Sequence, residues 1–210
     1  DRHARAMTTL RAPSAPIGIP IAAIAGLLAG ALTCLLQGVV PADWNTAVNS
    51  GAVWTVVAFG AAALLAQTQS AAVIAGLLVL VGEVAGYYLY LADVRHLPGL
   101  RSEELLWTVA ALWIGPLTGL AAYRARWGDT AARMTALATI AGVVAGEGVY
   151  LVRIAGMIKS GWLEIGVGAA VAAAAMALRP APAHIRAGAV LSGIVVAVAV
   201  YAAYRLLAFN

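Results

Sequence analysis

Long apolar segments separated by short polar ones make up almost the whole chain. Each apolar segment is close to the roughly 20 residues that a helix needs to cross a hydrocarbon core about 30 Å thick. The pattern predicts seven transmembrane helices. The second and sixth are the shortest, so six spans remain an alternative. The predicted spans are residues 17–37, 51–67, 71–91, 103–123, 131–154, 161–178 and 187–207.

Composition indicates the same class of protein. Of the 210 residues, 63% are hydrophobic and only 10% are charged, which leaves too few polar side chains to cover a soluble domain of this length. We therefore expect an all-α fold, a polytopic helical membrane bundle. No linker is long enough to hold another domain, so residues 17–210 are expected to form a single transmembrane domain.

The basic residues predict the orientation of the bundle. With seven spans, eight of the thirteen basic residues fall on the side of the N-terminus and five on the other side. Because cytoplasmic loops carry an excess of Lys and Arg, residues 1–16 are expected to be a cytoplasmic tail. The six residues before Met7 are interpreted as a cloning remnant. Without the two arginines of this segment, six basic residues lie on the N-terminal side and five on the other.

Small residues recur at regular positions in the spans. Glycines four residues apart share one helix face and allow a neighbouring backbone to approach closely, which favours packing in a membrane. Similar Ala-Gly segments occur in the first, third, fifth and seventh spans, which suggests parallel helical-hairpin repeats, with chance as the alternative. The glycine pairs are Gly26/Gly30, Gly82/Gly86, Gly115/Gly119 and Gly142/Gly146.

Two glutamates, Glu83 and Glu147, lie inside the third and fifth spans, where almost no other charge occurs. A carboxylate at membrane depth is costly unless it is paired, protonated or hydrated, so such a residue is a functional-site hypothesis by default. From a rise of about 1.5 Å per residue, both lie roughly 18 to 21 Å from the cytoplasmic boundary. We expect the two carboxylates to share one cavity that opens toward the outside.

Neighbouring polar residues are candidates for the same cavity. Tyr87 continues the helix face of Glu83, and Tyr150 borders that of Glu147. Arg153 either neutralises a carboxylate or extends to the interface, and Asp93 either contacts a ligand or belongs to a solvated loop. Glu164 lies near the start of the sixth span and is expected at the membrane interface.

Several chemistries are not supported by the sequence. The three histidines fall in the tail or in loops, no Cys/His cluster has zinc spacing, and there is no phosphate-binding glycine loop. Cys34 is alone in the first span and is expected to be a buried small residue. No catalytic residue, metal site or cofactor is predicted, and scattered basic residues do not favour nucleic-acid binding.

A short segment after the first span is distinctive. Trp44-Asn45, followed by Asn49-Ser50-Gly51-Ala52-Val53-Trp54, resembles a domain-of-unknown-function family of small bacterial multi-spanning membrane proteins. The resemblance covers about the first half of the chain. It implies a bacterial inner-membrane protein and carries no assigned activity or functional residue.

These observations lead to two hypotheses about function. The first is a small permease-like or substrate-binding membrane protein whose glutamates hold a cation, a cationic organic molecule or protons. The alternative is a structural or accessory subunit, which packs through its small-residue faces into a homo-oligomer or a larger membrane complex. An enzyme is the least favoured class, because paired carboxylates alone specify no reaction. Membrane lipid is the expected surrounding in each case.

Overall fold

The computed structural model describes residues 15–99, 101–177 and 180–207, with side chains from residue 18 onward. This part of the chain contains helices and short connections and no strand. A π-helical turn, Leu151–Ala155, continues α6. The helices are α1 (Ala15–Gln37), α2 (Ala42–Val48), α3 (Gly51–Leu65), α4 (Gln69–Asp93), α5 (Arg101–Trp127), α6 (Thr130–Tyr150), α7 (Ile158–Ala177) and α8 (Ala183–Leu207).

Seven segments within the described residues are long and apolar enough to cross a membrane. This confirms the predicted helical bundle and favours seven spans over six, and it indicates a multi-pass membrane protein. The second span, Ala42–Leu65, combines the short helix α2 with α3. Of the predicted tail, residues 1–14 lie outside the described part of the chain, and α1 already begins at Ala15.

The bundle has two faces. Helices α1, α4, α6 and α8 end on one side, which we call the C-terminal face, and α3, α5 and α7 begin there. Contacts between distant segments hold this face together. The Tyr87 hydroxyl donates to the Gln37 side chain at 2.7 Å, and Lys159 and Asp43 form an ion pair at 2.6 Å.

Side-chain caps define where three helices begin. The Ser50 hydroxyl accepts a hydrogen bond from Val53 N–H at the start of α3, and Thr68 and Asp129 cap α4 and α6 in the same way. Each cap satisfies one of the backbone donors that the first turn of a helix leaves free, and thereby fixes a short connection.

Parallel helix pairs organise the bundle. Gly26 and Gly30 of α1 pack against the backbone of Val79 and Glu83 in α4, so the two helices advance in the same direction and in register. Helices α6 and α8 form the corresponding pair through Gly142 and Gly146, which lie against Gly193 and Ala197. A β-carbon at any of these four glycines would overlap the neighbouring backbone, so close approach requires glycine there.

Antiparallel neighbours complete the structure. Helix α5 packs along α4 through Gly115 and Gly119, which lie against Gly76 and Ala72, and α7 packs along α6. Helices α4 and α6 are the most buried: 56% of the most apolar stretch of α6 is buried, against 6% for α8. The centre of the bundle is therefore formed by the two helices that carry Glu83 and Glu147.

Candidate functional site

A cavity of about 490 Å³ opens at the C-terminal face, between the ends of α4, α6 and α8 and the beginnings of α3 and α5. Its volume lies within the range of small-molecule sites, roughly 300–1,000 Å³. The polar segment between α2 and α3 forms part of its wall, including Asn49 and Ser50. The connection between α4 and α5 contributes Pro98 and Gly99.

Aromatic rings form much of the wall. Six of the chain's thirteen tryptophans and tyrosines line this one cavity. They belong to five separate helices, so the concentration of rings results from the folding of the bundle. The six are Trp54 of α3, Tyr87 and Tyr88 of α4, Trp107 of α5, and Tyr150 and Tyr204 of α6 and α8.

These rings contact one another and form two groups. Trp54 and Tyr87 have centroids 5.9 Å apart, and Tyr87 packs edge-on against Tyr88 at 5.2 Å. On the opposite wall, Tyr204 stacks on Tyr150 at 5.2 Å and lies 6.3 Å from Trp107. Such distances are typical of favourable aromatic pairs, which hold one another in place.

Glu147 is the carboxylate of this cavity. It is 3% exposed and lies in α6, where its two oxygens accept hydrogen bonds from Gly51 N–H at 3.2 Å and Ala52 N–H at 2.5 Å. These amides belong to the first turn of α3, where the helix dipole favours a negative charge. The Tyr204 hydroxyl lies next to the same carboxylate. A carboxylate has about four acceptor positions, so Glu147 retains capacity for a further partner.

Glu164 is a second buried carboxylate behind the first. It is 4% exposed, and its nearest polar neighbours are Glu147 and the Ser50 hydroxyl. Its oxygens form no well-aligned hydrogen bond with the described residues. The sequence pattern predicted Glu164 at the membrane interface; the structure places it near the start of α7, which begins at Ile158, with its side chain buried by protein.

The charges around the cavity have one sign. Glu103, in the first turn of α5, lies at the cavity rim and adds a carboxylate to that of Glu147. Among the described lining residues there is no Lys, Arg or His. Carboxylates and aromatic rings without a basic side chain among the described lining residues favour a positively charged occupant.

The structure does not bring Glu83 and Glu147 together. Glu83 is 1% exposed, lies at the contact of α4 with α1, and is not among the residues that line the cavity. Its two oxygens have no hydrogen-bond partner within the described part of the chain. The reason is position along the helix: at the level of Glu83 the Gly30 backbone of α1 packs directly against α4, whereas Tyr87, one turn later on nearly the same face, lies beside the end of α1 and reaches the cavity.

Of the other predicted site residues, two line the cavity and two do not. Tyr87 and Tyr150 line the cavity with Glu147. Arg153, on the π-helical turn, and Asp93, at the end of α4, are exposed and do not line it. Arg153 therefore does not neutralise Glu147.

Sequence reasoning missed four residues of this site: Glu164, Tyr204, Trp54 and Glu103. Trp54 was part of the distinctive segment after the first span, and Tyr204 lay among the aromatic residues near the end of the last span. Neither signal specified a cavity. The site also offers no metal centre: among the described residues, no group of three or more His, Cys, Asp or Glu side chains could hold a metal ion.

Comparison with known proteins identifies the family. A comparison with curated proteins and with solved structures gives no significant match. A family model, described as a family of unknown function (DUF6518), matches residues 8–209. The match confirms the resemblance to a family of unknown function and extends it from the first half to nearly the full length. The chain therefore belongs to the family of unknown function DUF6518.

Proposed function

We propose that this protein is a small permease-like or substrate-binding membrane protein that binds an organic cation in the cavity at its C-terminal face. The observation that carries the proposal is the combination of six aromatic rings with Glu147 and Glu103, and with no basic side chain among the described lining residues. Aromatic walls with a nearby carboxylate are typical of sites that recognise substituted ammonium groups.

The cavity is less suited to the two other ligands proposed from the sequence, an inorganic cation and a proton. Metal cations need several oxygen ligands at short distance, and the described residues offer no cluster of three or more carboxylate, His or Cys side chains. A site for protons alone needs no cavity of about 490 Å³. An organic cation uses the volume, the ring faces and the carboxylates together.

We place the cavity on the outer side of a bacterial plasma membrane. The excess of basic residues on the N-terminal side supports this orientation, since such residues are enriched in cytoplasmic loops. In that orientation the protein captures its ligand from outside. Release to the other side requires a conformational change or a partner that supplies energy.

The test is equilibrium binding to the protein in lipid nanodiscs, with empty nanodiscs subtracted. Choline is compared with 3,3-dimethyl-1-butanol, which has the same shape and no charge. The proposal predicts that choline binds at least about tenfold more tightly, since one cation–π or charge interaction contributes on the order of 1–2 kcal/mol. Tetramethylammonium should bind like choline.

The outcome separates the two hypotheses on function. If a panel of substituted ammonium ions does not bind, or if the neutral analogue binds equally well, the proposal is wrong. A stoichiometric protein partner that co-purifies with a protein unable to bind these ions would favour the accessory subunit.

A further inference from the structure

A second cavity adjoins the first and differs from it in chemistry. Its volume is about 290 Å³, and it lies between α5 and α8, with α3, α4 and α6 behind it. The two cavities share the lining residues Gly51, Trp54, Trp107, Glu147, Tyr204 and Leu207. A ligand bound beside Glu147 therefore lies next to the residues that border both cavities.

The walls of this cleft are apolar below the shared residues. On α5 the lining positions Trp107, Ala110, Ala111 and Ile114 follow one helix face. Along about 10 Å of helix these positions offer mainly small or aliphatic groups. Opposite them, α8 contributes Val200, Ala203 and Leu207, again at the spacing of one face.

Most polar groups at the top of the cleft already have partners; the exception among the described residues is the Trp54 indole N–H, a single donor. The Thr55 hydroxyl donates to Gly51 O at 2.7 Å, and the Tyr204 hydroxyl lies against Glu147. Water needs two to four polar partners to be stable in a cavity, and the lower cleft does not supply them. A hydrocarbon chain needs none.

The cleft also opens sideways. Trp113 and Ile114 of α5 are 74% and 42% exposed, and they lie in the middle of a membrane span. Helices α5 and α8 meet through the rings of Trp107 and Tyr204 near the C-terminal face. The opening below these rings faces the side where lipid chains lie.

We propose that the ligand is an amphiphile: a substituted ammonium head group occupies the aromatic cavity beside Glu147, and one hydrocarbon chain extends through the cleft between α5 and α8 toward the lipid. This inference rests on the proposed function and narrows its substrate class. The observation that carries it is that an acidic, aromatic cavity and an apolar, laterally open cleft share Glu147, Trp54, Trp107 and Tyr204 as lining residues. A hydrophilic cation would use the first cavity only.

The experiment compares tetramethylammonium with decyltrimethylammonium, below its micelle-forming concentration, by equilibrium binding to the protein in nanodiscs. Ala203→Phe fills the cleft, and Ala202→Phe is the matched control, because Ala202 is also an exposed alanine of α8 but lines neither cavity. Both variants are measured in the same lipid, so partition of the long chain into the bilayer cancels.

We expect the wild-type protein to bind the long-chain cation at least about tenfold more tightly, which corresponds to burial of a few methylene groups. Ala203→Phe should remove this advantage and leave tetramethylammonium binding unchanged. Ala202→Phe should alter neither. Retained binding of tetramethylammonium also shows that the variant is folded.

Other outcomes overturn the inference in distinguishable ways. Equal affinity for the two cations, or equal behaviour of the two variants, rejects the hydrocarbon chain and leaves the proposed function intact. If Ala203→Phe does not fold, the smaller substitution Ala203→Leu is compared with the wild type in the same lipid, and an unchanged advantage of the long chain rejects the inference. A dimer that Ala203→Phe dissociates would assign the cleft to a second copy of the chain. Failure of both cations to bind rejects the proposed function as well.

Discussion

The carboxylate of Glu147 in α6 accepts the backbone N–H of Ala52 in α3 at 2.5 Å, across 95 residues of sequence. The same carboxylate accepts the Gly51 N–H at 3.2 Å. The start of α3 lies inside the bundle, and Glu147 accepts the backbone N–H groups that water would otherwise accept. The residue thus has two roles in one location. It stabilises the first turn of α3, and it supplies negative charge to the aromatic cavity.

The structural role predicts a loss of stability in Glu147→Ala. Two buried N–H groups would lose their partner, and hydrogen bonds to charged groups contribute about 1.5–3 kcal/mol each. We expect unfolding free energy to fall by roughly 2–4 kcal/mol, and Glu147→Gln, which retains one acceptor oxygen, to lose about half as much. Thermal unfolding in detergent measures both. An unchanged midpoint in Glu147→Ala would show that this carboxylate does not cap α3.

Substitution of Glu83 should leave the stability of the protein unchanged or increase it. Its carboxylate is buried between α1 and α4 without a hydrogen-bond partner among the described residues, so Glu83→Met exchanges an unpaired polar group for an apolar one of similar size. An unsatisfied buried polar group costs about 1–3 kcal/mol, and the substitution removes that cost. We expect a melting temperature equal to or above that of the wild type. A marked decrease would reveal a partner for Glu83 and contradict this account.

The parallel contact of α1 and α4 predicts a matched pair of glycine variants. A β-carbon at Gly30 overlaps the backbone of Glu83, whereas Gly60 of α3 has no heavy atom within 4 Å of that position. Gly30→Ala should destabilise the protein by about 1–3 kcal/mol through overpacking. Gly60→Ala should be neutral or stabilise it by up to about 1 kcal/mol, through helix propensity. Equal effects in thermal unfolding would contradict the helix register described above.

Gly156 closes the π-helical turn that follows α6 and has a φ of 72°. A left-handed conformation costs a residue with a β-carbon about 1–2 kcal/mol, so Gly156→Ala should destabilise the protein by that amount. The control is Gly166→Ala in α7, where nothing lies within 4 Å of the added carbon and no loss is expected. Chemical or thermal unfolding compares the two. If Gly156→Ala were as stable as the control, the turn would not require glycine.

Much of the bundle could be predicted from the sequence, because membrane thickness fixes the length of an apolar span. The apolar pattern located all seven spans and began the second at Gly51, where α3 begins, but it left α2 in the loop before that span. At that point the polar residues Asn49 and Ser50 lie inside the second span as the structure has it, and not in a loop before it. The break between the two helices is what exposes the amides of Gly51 and Ala52 to Glu147.

Less of the candidate site could be predicted from the sequence. The spacing along the helix predicted that Tyr150 borders the face of Glu147, and both residues line the cavity. Neither spacing nor the rise per residue shows which neighbouring helix a carboxylate contacts, so the shared depth of Glu83 and Glu147 did not imply a shared cavity. Contacts with other helices decide which direction a side chain faces: glycines of α1 enclose Glu83, and the start of α3 receives Glu147.

The central claim is that Glu147, and not Glu83, supplies the charge that binds an organic cation. The most direct measurement is the dissociation constant of tetramethylammonium for Glu147→Gln and Glu83→Gln in nanodiscs, two substitutions that each remove one buried carboxylate. We predict at least about tenfold weaker binding, or about 1.4 kcal/mol, for Glu147→Gln, and no change for Glu83→Gln. Wild-type affinity in Glu147→Gln, or an equal loss in both variants, would contradict the account.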